Sequence, residues 1–132
     1  MRINIILGII VDAAIEVHRE LGPGLLESAY EECLCYELSL RHLRFERQVE
    51  LPVGYKAVEL DCGYRMDIVV EGLLLIELKA VESLAPIHTA QTLTYLRLSN
   101  LPLGLLLNFN STLMKDGVCR LAHRMNDPDF DW

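Results

Sequence analysis

The sequence predicts an α/β domain in which helices flank a mixed β-sheet. Apolar residues recur at helical spacing before residue 42, and the apolar period then changes to two from Phe45. Residues 103–109 form a continuous apolar run, which is typical of a strand buried on both faces. The 132 residues, 52% hydrophobic and 23% charged, fit one domain, and no linker or repeat divides residues 1–132.

Two helices open the chain. The first ends at Leu21, because the Gly-Pro-Gly turn at residues 22–24 cannot continue a helix. The second extends from about residue 25 to residue 42, with apolar and aromatic side chains three and four positions apart. The apolar residues 3–11 are too few to span a bilayer, which takes about 18 to 20, so we expect no membrane segment. Four cysteines without a metal or disulfide pattern favour a cytoplasmic location.

Strands and a third helix follow. Residues 45–55 alternate apolar and polar side chains, which predicts an amphipathic strand, and Pro52 places the end of that strand at a sheet edge. Residues 58–70 predict a strand bent at Cys62 and Gly63, and residues 73–79 return as its hairpin partner. The remaining predicted elements are a helix that starts after Pro86 and reaches Ser99, the buried strand at 103–109 and a possible short strand at 118–123. The order is therefore α-α-β-β-β-α-β, with one optional strand at the end.

Charged side chains on the hairpin have a register that parity predicts. A two-residue loop would oppose Met66 to Glu77 and drive a carboxylate into the apolar side of the sheet. A three-residue loop instead opposes Asp67 to Glu77 and Arg65 to Lys79. The apolar residues then form one uninterrupted core face, made of Met66, Ile68, Val70, Leu74, Ile76 and Leu78. We therefore predict the three-residue loop.

This register brings two carboxylates together, about 5 Å apart at Cβ. Like charges at that distance destabilise the fold unless they share a cation or a proton. Hard oxygen ligands suit Mg²⁺ or Mn²⁺, and the carbonyl oxygen of Leu78 could supply a third protein ligand beside Asp67 and Glu77. Lys79 would then lie next to the attacking water. The alternative is a solvated strand face on which these charges form ion pairs with one another.

Two motifs resemble a known family. Asp67, nine intervening residues and then Glu77-Leu78-Lys79 resemble the D…ExK signature of the PD-(D/E)XK phosphodiesterase superfamily, although Met66 replaces the proline of the name. Residues 24–30, GLLESAY, match the motif that names the bacterial GxxExxY family, a branch of that superfamily. Similar stretches cover nearly the whole chain: IEVHRELGPGLLESAYEECL, LDCGYRMDIVVEG, IELKAVE, HTAQTLTYLRL and GLLLNFN. The resemblance implies a restriction-endonuclease-like fold.

The resemblance also implies roles for individual residues. Asp67 and Glu77 would ligate the metal, and Lys79 would serve the nucleophilic water. Glu27 would be the acidic residue that the preceding helix adds to such sites, and Gln91 the polar residue of the following helix. When the family is left aside, an interaction with the helix dipole explains Glu27 equally well. The helix face that carries Gln91 is by itself more often a polar surface, but Glu77 and Lys79 just upstream favour a wall of the site.

Three further residues are candidates for substrate contacts. Tyr30 lies on the same side of its helix as Glu27, and Tyr95 lies one turn beyond Gln91. Arg65 is predicted to join a basic stretch that would lead nucleic acid to the site; its other members are Arg41, Arg44, Arg47 and Lys56. A solvated basic surface is the alternative, because the formal charge of −7 opposes binding of a polyanion in bulk.

These inferences point to a Mg²⁺-dependent phosphodiesterase, most simply a nuclease that uses metal-activated water. The competing hypothesis is a non-catalytic module that binds nucleic acid or protein and retains the nuclease fold. Homo-oligomerisation through an exposed sheet edge or helix face is compatible with both.

Overall fold

The computed structural model describes residues 3–123 and has the predicted α/β architecture, a mixed five-stranded sheet flanked by helices as in the restriction-endonuclease-like fold. The helices are α1 (Ile3–Leu21), α2 (Glu27–Leu40) and α3 (Pro86–Ser99), with a short 3-10 helix at Met114–Gly117. The strands are β1 (Phe45–Glu50), β2 (Val53–Tyr55), β3 (Val58–Leu60), β4 (Arg65–Val70), β5 (Leu74–Lys79), β6 (Leu103–Asn108) and β7 (Val118–Ala122).

The first two helices pack as a bent pair around the predicted turn. Gly22 and Gly24 adopt φ values of +66° and +105°, which L side chains rarely adopt, so α1 ends at Leu21 as expected. α2 is two residues shorter at each end than predicted, because Leu26 is still extended with φ −73° and ψ 153°. None of the helices within residues 3–123 is long and apolar enough to cross a membrane.

The main sheet has the strand order β1-β4-β5-β6-β7. β5 and β6 are parallel and joined through α3, and the other neighbouring pairs are antiparallel. Every residue of β6 is buried, which confirms the strand predicted from the apolar run at 103–109. β7 confirms the optional last strand.

The β4–β5 hairpin has the predicted three-residue loop. Val70 pairs with Leu74 and Ile68 with Ile76, so the register is the one that parity required. The ladder ends at that second pair, and the expected backbone pair of Arg65 with Lys79 does not form. β4 and β5 therefore separate at the level of Asp67 and Glu77.

Two strands predicted as continuous are interrupted. The strand expected at 45–55 ends at Glu50, since Leu51-Pro52 separates β1 from β2. Likewise, the residues expected to begin a bent strand at 58–70 form β3, which pairs with β2 in a separate two-stranded sheet. The bend at Cys62 and Gly63 is thus a connection between two sheets.

The sheet is buried on both faces, by different helices. α1 and α2 cover the larger core, which includes Ile68, Val70 and Leu78 of the hairpin. α3 covers a smaller cluster through Tyr95 and Leu96. Met66 belongs to this smaller cluster, so its prediction as part of the first core face was wrong; the alternation of side chains reverses between Met66 and Ile68.

Candidate active site

The two predicted acidic ligands meet where β4 and β5 separate. Oδ2 of Asp67 accepts a hydrogen bond from the backbone N–H of Leu78 at 2.8 Å. The backbone N–H of Asp67 in turn points at Oε1 of Glu77, 3.4 Å away. The carboxyl groups therefore take the place of ladder hydrogen bonds, and the opening of the hairpin holds both of them in contact.

Glu77 is the most strongly perturbed group of the site. Its side chain lies in the buried part of β5, and the residue is only 7% exposed. Burial raises the pKa of its carboxyl group to about 9, and the adjacent negative charge of Asp67 and a hydrogen bond between the two side chains act in the same direction. The positive charge of Lys79 opposes this rise in pKa only weakly. Without a cation, Glu77 therefore holds a proton at neutral pH.

Lys79 is the last residue of β5 and is half-buried. Its carbonyl oxygen accepts a hydrogen bond from the N–H of Phe109 at 2.9 Å, and its Cα pairs with Asn108 across the parallel strands. Among residues 3–123, no carboxylate forms an ion pair with the Lys79 ammonium group. The backbone of Lys79 is thus fixed, and its charge is available to the site.

A cavity of about 330 Å³ connects α2 with Asp67. Glu27 and Ser28 line it from the start of α2, and Asp67 and Leu78 line it from the hairpin. The structure thus brings Glu27, which lies far from the hairpin in sequence, to the same cavity as Asp67.

Gln48 and Glu31 complete this cavity and are site residues that sequence reasoning missed. Nε2 of Gln48 donates to Oε1 of Glu31 at 2.7 Å and approaches Oδ1 of Asp67 at 3.4 Å. Arg47 donates to the other oxygen of Glu31 at 2.7 Å and to Glu32 at 2.8 Å, and the hydrogen bonds to Glu32 and Glu31 raise the pKa of its guanidinium group further. Glu31 follows Glu27 by one helical turn, and this spacing was the signal that could have found it.

The backbone conformation of Gln48 explains why the side chains of Arg47 and Gln48 both reach Glu31 of α2. Gln48 has φ +50°, a left-handed conformation, and the β1–β4 ladder skips the pair of Gln48 with Asp67. Phe45 packs against the α1–α2 core, whereas Val49, an even number of residues later, packs under α3. The single left-handed residue Gln48 therefore exchanges the faces on which the later side chains of β1 lie, and it turns its own side chain toward Asp67.

Gln91 approaches the site from the opposite face of the sheet. Its Nε2 donates to the hydroxyl group of Tyr95 at 3.3 Å. Tyr95 is 8% exposed, and its pKa is raised by burial first and by the charge of Glu77 second. Gln91 is therefore linked to Glu77 through Tyr95.

The two other candidate substrate residues have structural partners. Tyr30 is fully buried, stacks on Phe109 at a centroid distance of 4.6 Å and donates to the carbonyl oxygen of Gly22 at 2.6 Å. It stabilises the turn between α1 and α2, and its burial leaves no surface for a substrate contact. Arg65 is exposed and pairs with Glu50 at 3.5 Å, at the outer side of β4.

The basic stretch predicted to lead nucleic acid to the site is largely neutralised. Arg44 pairs with Glu71 at 3.3 Å, and Arg47 pairs with Glu31 and Glu32. Arg41 pairs with Glu37 at 2.6 Å. These three guanidinium groups pair with the chain's own carboxylates, while the exposed Lys56 lies over the ring of Tyr55.

The donor set suits a hard divalent cation. Within residues 3–123, no three side chains of His, Cys, Asp and Glu are grouped as a ready metal site. Asp67 and Glu77 nevertheless present carboxyl oxygens to each other, and no cationic side chain of residues 3–123 forms an ion pair with either of them. This arrangement fits Mg²⁺ or Mn²⁺ bound by two carboxylates and waters. Leu78 lines the same cavity, so its carbonyl group remains a candidate ligand.

Comparison with known proteins agrees with this geometry. Residues 4–121 match the family model of the PD-(D/E)XK nuclease superfamily, so the match covers both acidic residues, the lysine and all three helices. No curated protein and no solved structure gives a significant match to the chain.

Proposed function

The chain belongs to the PD-(D/E)XK nuclease superfamily, and from this we propose that it is a nuclease that hydrolyses phosphodiester bonds with Mg²⁺ or Mn²⁺. We place it in the GxxExxY branch because of residues 24–30, and we expect it to act in the cytoplasm. The observation that carries the proposal is the position of the buried Glu77 carboxyl group, which lies 3.4 Å from the backbone N–H of Asp67 and is hydrogen-bonded to the Asp67 side chain. Structural ion pairs join opposite charges, whereas this pair joins two acidic groups, which a shared divalent cation would stabilise.

In this proposal Asp67, Glu77 and the Leu78 carbonyl group hold the metal. A divalent cation supplies charge neutralisation at the phosphoryl oxygens and lowers the pKa of a water molecule. Glu77 would lose its proton when the cation arrives, because the cation replaces the proton that the two carboxyl groups share. The N–H of Leu78 orients Asp67 beforehand, which reduces the ordering needed on binding.

Lys79 and Glu27 act on the reacting groups. The Lys79 ammonium group, which has no carboxylate partner among residues 3–123, would orient the attacking water and neutralise charge that develops on the phosphate. Glu27 faces the cavity beside Asp67 and would position a water. Gln91 would hold the substrate from the α3 side through the amide N–H and carbonyl oxygen that its hydrogen bond to Tyr95 does not use.

The test is a cleavage assay on single- and double-stranded DNA and RNA with Mg²⁺, Mn²⁺ or EDTA. We expect cleavage with metal and none with EDTA. Lys79→Ala should reduce the rate at least a hundredfold, within the range for loss of one charge-stabilising group. Lys115→Ala, at a lysine of the short 3-10 helix, is the matched control and should cleave normally. Full activity of Lys79→Ala would contradict the proposal.

One observation favours the alternative of a binding module. Oδ2 of Asp67 is occupied by the Leu78 N–H, and the described residues offer no group of three acidic or imidazole ligands. A protein that binds nucleic acid but never cleaves it, and that is not stabilised by metal, would fit that alternative.

A further inference from the structure

A groove opens on the α3 side of the sheet, beside the carboxyl pair. Its volume is about 350 Å³, which falls within the range of small-molecule sites, about 300–1,000 Å³. One wall consists of α3 residues at helical spacing: Ile87, Gln91, Thr94 and Leu98. Tyr64, which precedes β4, and Tyr95 also line the groove.

Tyr64 gives the groove an ordered aromatic surface. Its ring meets Tyr95 edge to face, with centroids 6.2 Å apart and ring planes at 63°. Tyr95 is buried and fixes this geometry, while Tyr64 remains 46% exposed. An ordered ring with an open face is a surface on which a flat π-system can stack.

Polar groups of α3 border the aromatic surface. The Gln91 amide group donates one hydrogen bond to Tyr95, which leaves a donor and an acceptor for a ligand. Thr94 adds a hydroxyl group to the same wall. A stacking face with adjacent hydrogen-bonding groups matches the chemistry of a nucleobase, which combines a π-face with a polar edge.

Tyr95 lies between the groove and the candidate active site. It lines the groove, and its hydroxyl group is close enough to Glu77 for that carboxyl group to contribute, after burial, to the rise of the Tyr95 pKa. A nucleic-acid strand whose phosphodiester is bound at the carboxyl pair would reach Tyr64 by passing Tyr95. The charges point to a single strand, since duplex binding depends on many phosphate contacts, and Arg41, Arg44 and Arg47 are paired with glutamates.

We propose that this groove stacks an unpaired nucleobase on Tyr64, and hence that the substrate is single-stranded nucleic acid. The inference rests on the proposed function for its choice of ligand. It adds the strand preference and the base-binding residue, neither of which follows from the carboxyl pair.

The test is binding of fluorescent oligonucleotides, measured by anisotropy in EDTA so that metal-dependent cleavage cannot consume the probe. We expect a single strand to bind at least tenfold more tightly than a blunt duplex of the same length. Tyr64→Leu keeps an apolar side chain but removes stacking, and should weaken single-strand binding about tenfold. Tyr64→Trp should restore or exceed the parent affinity.

Tyr36→Leu is the matched control, because Tyr36 is 66% exposed on α2, on the other face of the sheet. It should bind as the parent does. The inference would be overturned by equal affinity for single strand and duplex, or by no binding at all. It would also be overturned if Tyr64→Leu and Tyr36→Leu both lost affinity. A concentration-dependent dimer that Tyr64→Leu dissociates would overturn it too, since the groove would then dock a second copy.

The outcomes also separate the groove from the proposed function. Tyr64-dependent binding of single strands without cleavage in any metal would support the base site and refute the nuclease. Metal-dependent cleavage with equal rates for single strand and duplex, unaffected by Tyr64→Leu, would support the nuclease and refute the base site.

Discussion

Glu77 concentrates the electrostatic cost of the site in one residue. Its carboxyl group has a pKa of about 9 in the fold, against about 4.3 for an exposed glutamate. Because the pKa is raised, the folded protein binds the proton more tightly than the unfolded chain does. The stability from this proton is fully present below the unfolded pKa and is lost as the pH rises toward the folded pKa.

We therefore predict that Glu77→Gln stabilises the metal-free protein increasingly with pH. The amide stays neutral, so the Tm of the variant minus that of the parent should rise by several degrees between about pH 5 and pH 9. Thermal melts in EDTA measure this difference. Glu59→Gln, at an exposed glutamate of β3, should show no such trend. A difference for Glu77→Gln that does not change with pH would mean that Glu77 is ionised throughout.

Gln48 allows a second prediction at the residue scale, because its φ of +50° strains any residue with a Cβ. Gln48→Gly and Gln48→Ala both delete the amide group, but only alanine keeps that strain. We expect the glycine variant to be more stable by about 1 kcal/mol, measured by urea unfolding. The same pair at Glu46, on the same strand, should show the opposite order, since glycine is unfavourable in an ordinary strand. Equal stabilities at position 48 would argue against the left-handed backbone.

At the scale of elements, parity predicts the hairpin but not the reversal beside it. The register of β4 and β5 followed from the cost of burying Glu77 on an apolar face, and Val70 indeed pairs with Leu74. A glutamine with a left-handed backbone does not change the apolar-polar alternation of the sequence. For this reason neither the position of Met66 on the other face nor the contact of Gln48 with Asp67 could be predicted. Pro52 indicated the edge of a sheet, but it did not indicate that β2 belongs to a second sheet.

The hairpin also carries a prediction about metal. If Asp67 and Glu77 share a divalent cation, Mn²⁺ at about ten times its Kd should stabilise the fold by about 1.4 kcal/mol and raise the Tm by a few degrees. Asp67→Asn should abolish this gain. In EDTA at a pH above about 9, where both carboxyl groups are ionised, the variant should melt no lower than the parent, because it removes one of two repelling charges.

Melting curves of both proteins in EDTA and in Mn²⁺ test this prediction. Asp12→Asn, at an exposed aspartate of α1, is the control and should respond to Mn²⁺ as the parent does. If neither Mn²⁺ nor Mg²⁺ changes the Tm of the parent protein, the proposed metal site is wrong. A loss of stability for Asp67→Asn in EDTA at that pH would instead show that the contacts of Asp67, such as the hydrogen bond from the Leu78 N–H, outweigh the repulsion.

At the scale of the whole molecule, family membership and charge lead in different directions. The superfamily match over residues 4–121 points to nucleic acid, whereas the formal charge of −7 repels it. The sequence alone suggested that the arginines after α2 resolve this conflict, but sequence spacing does not show which charges meet in the fold. Arg47 lies between Glu31 and Glu32 of α2, and Arg44 lies against Glu71 of the hairpin loop. These paired arginines are therefore less available to phosphates.

This charge distribution predicts a weak salt dependence. Each phosphate contact to a single strand contributes about −0.7 to the slope of log K against log salt. If only Lys79 and Arg65 contact phosphates, the slope is about −1.4, and a change from about 50 to about 200 mM NaCl should weaken binding less than tenfold. Anisotropy titrations of a single strand across that range measure the slope. Arg65→Gln should lower its magnitude by about half, because Arg65 meets only the exposed Glu50, at 3.5 Å. Arg44→Gln should leave the slope unchanged, because Arg44 donates to both carboxyl oxygens of Glu71, whose side chain is only 10% exposed. A slope steeper than about −4 would mean that the paired arginines exchange their glutamates for phosphates, and that the binding surface extends along β1, well beyond the carboxyl pair.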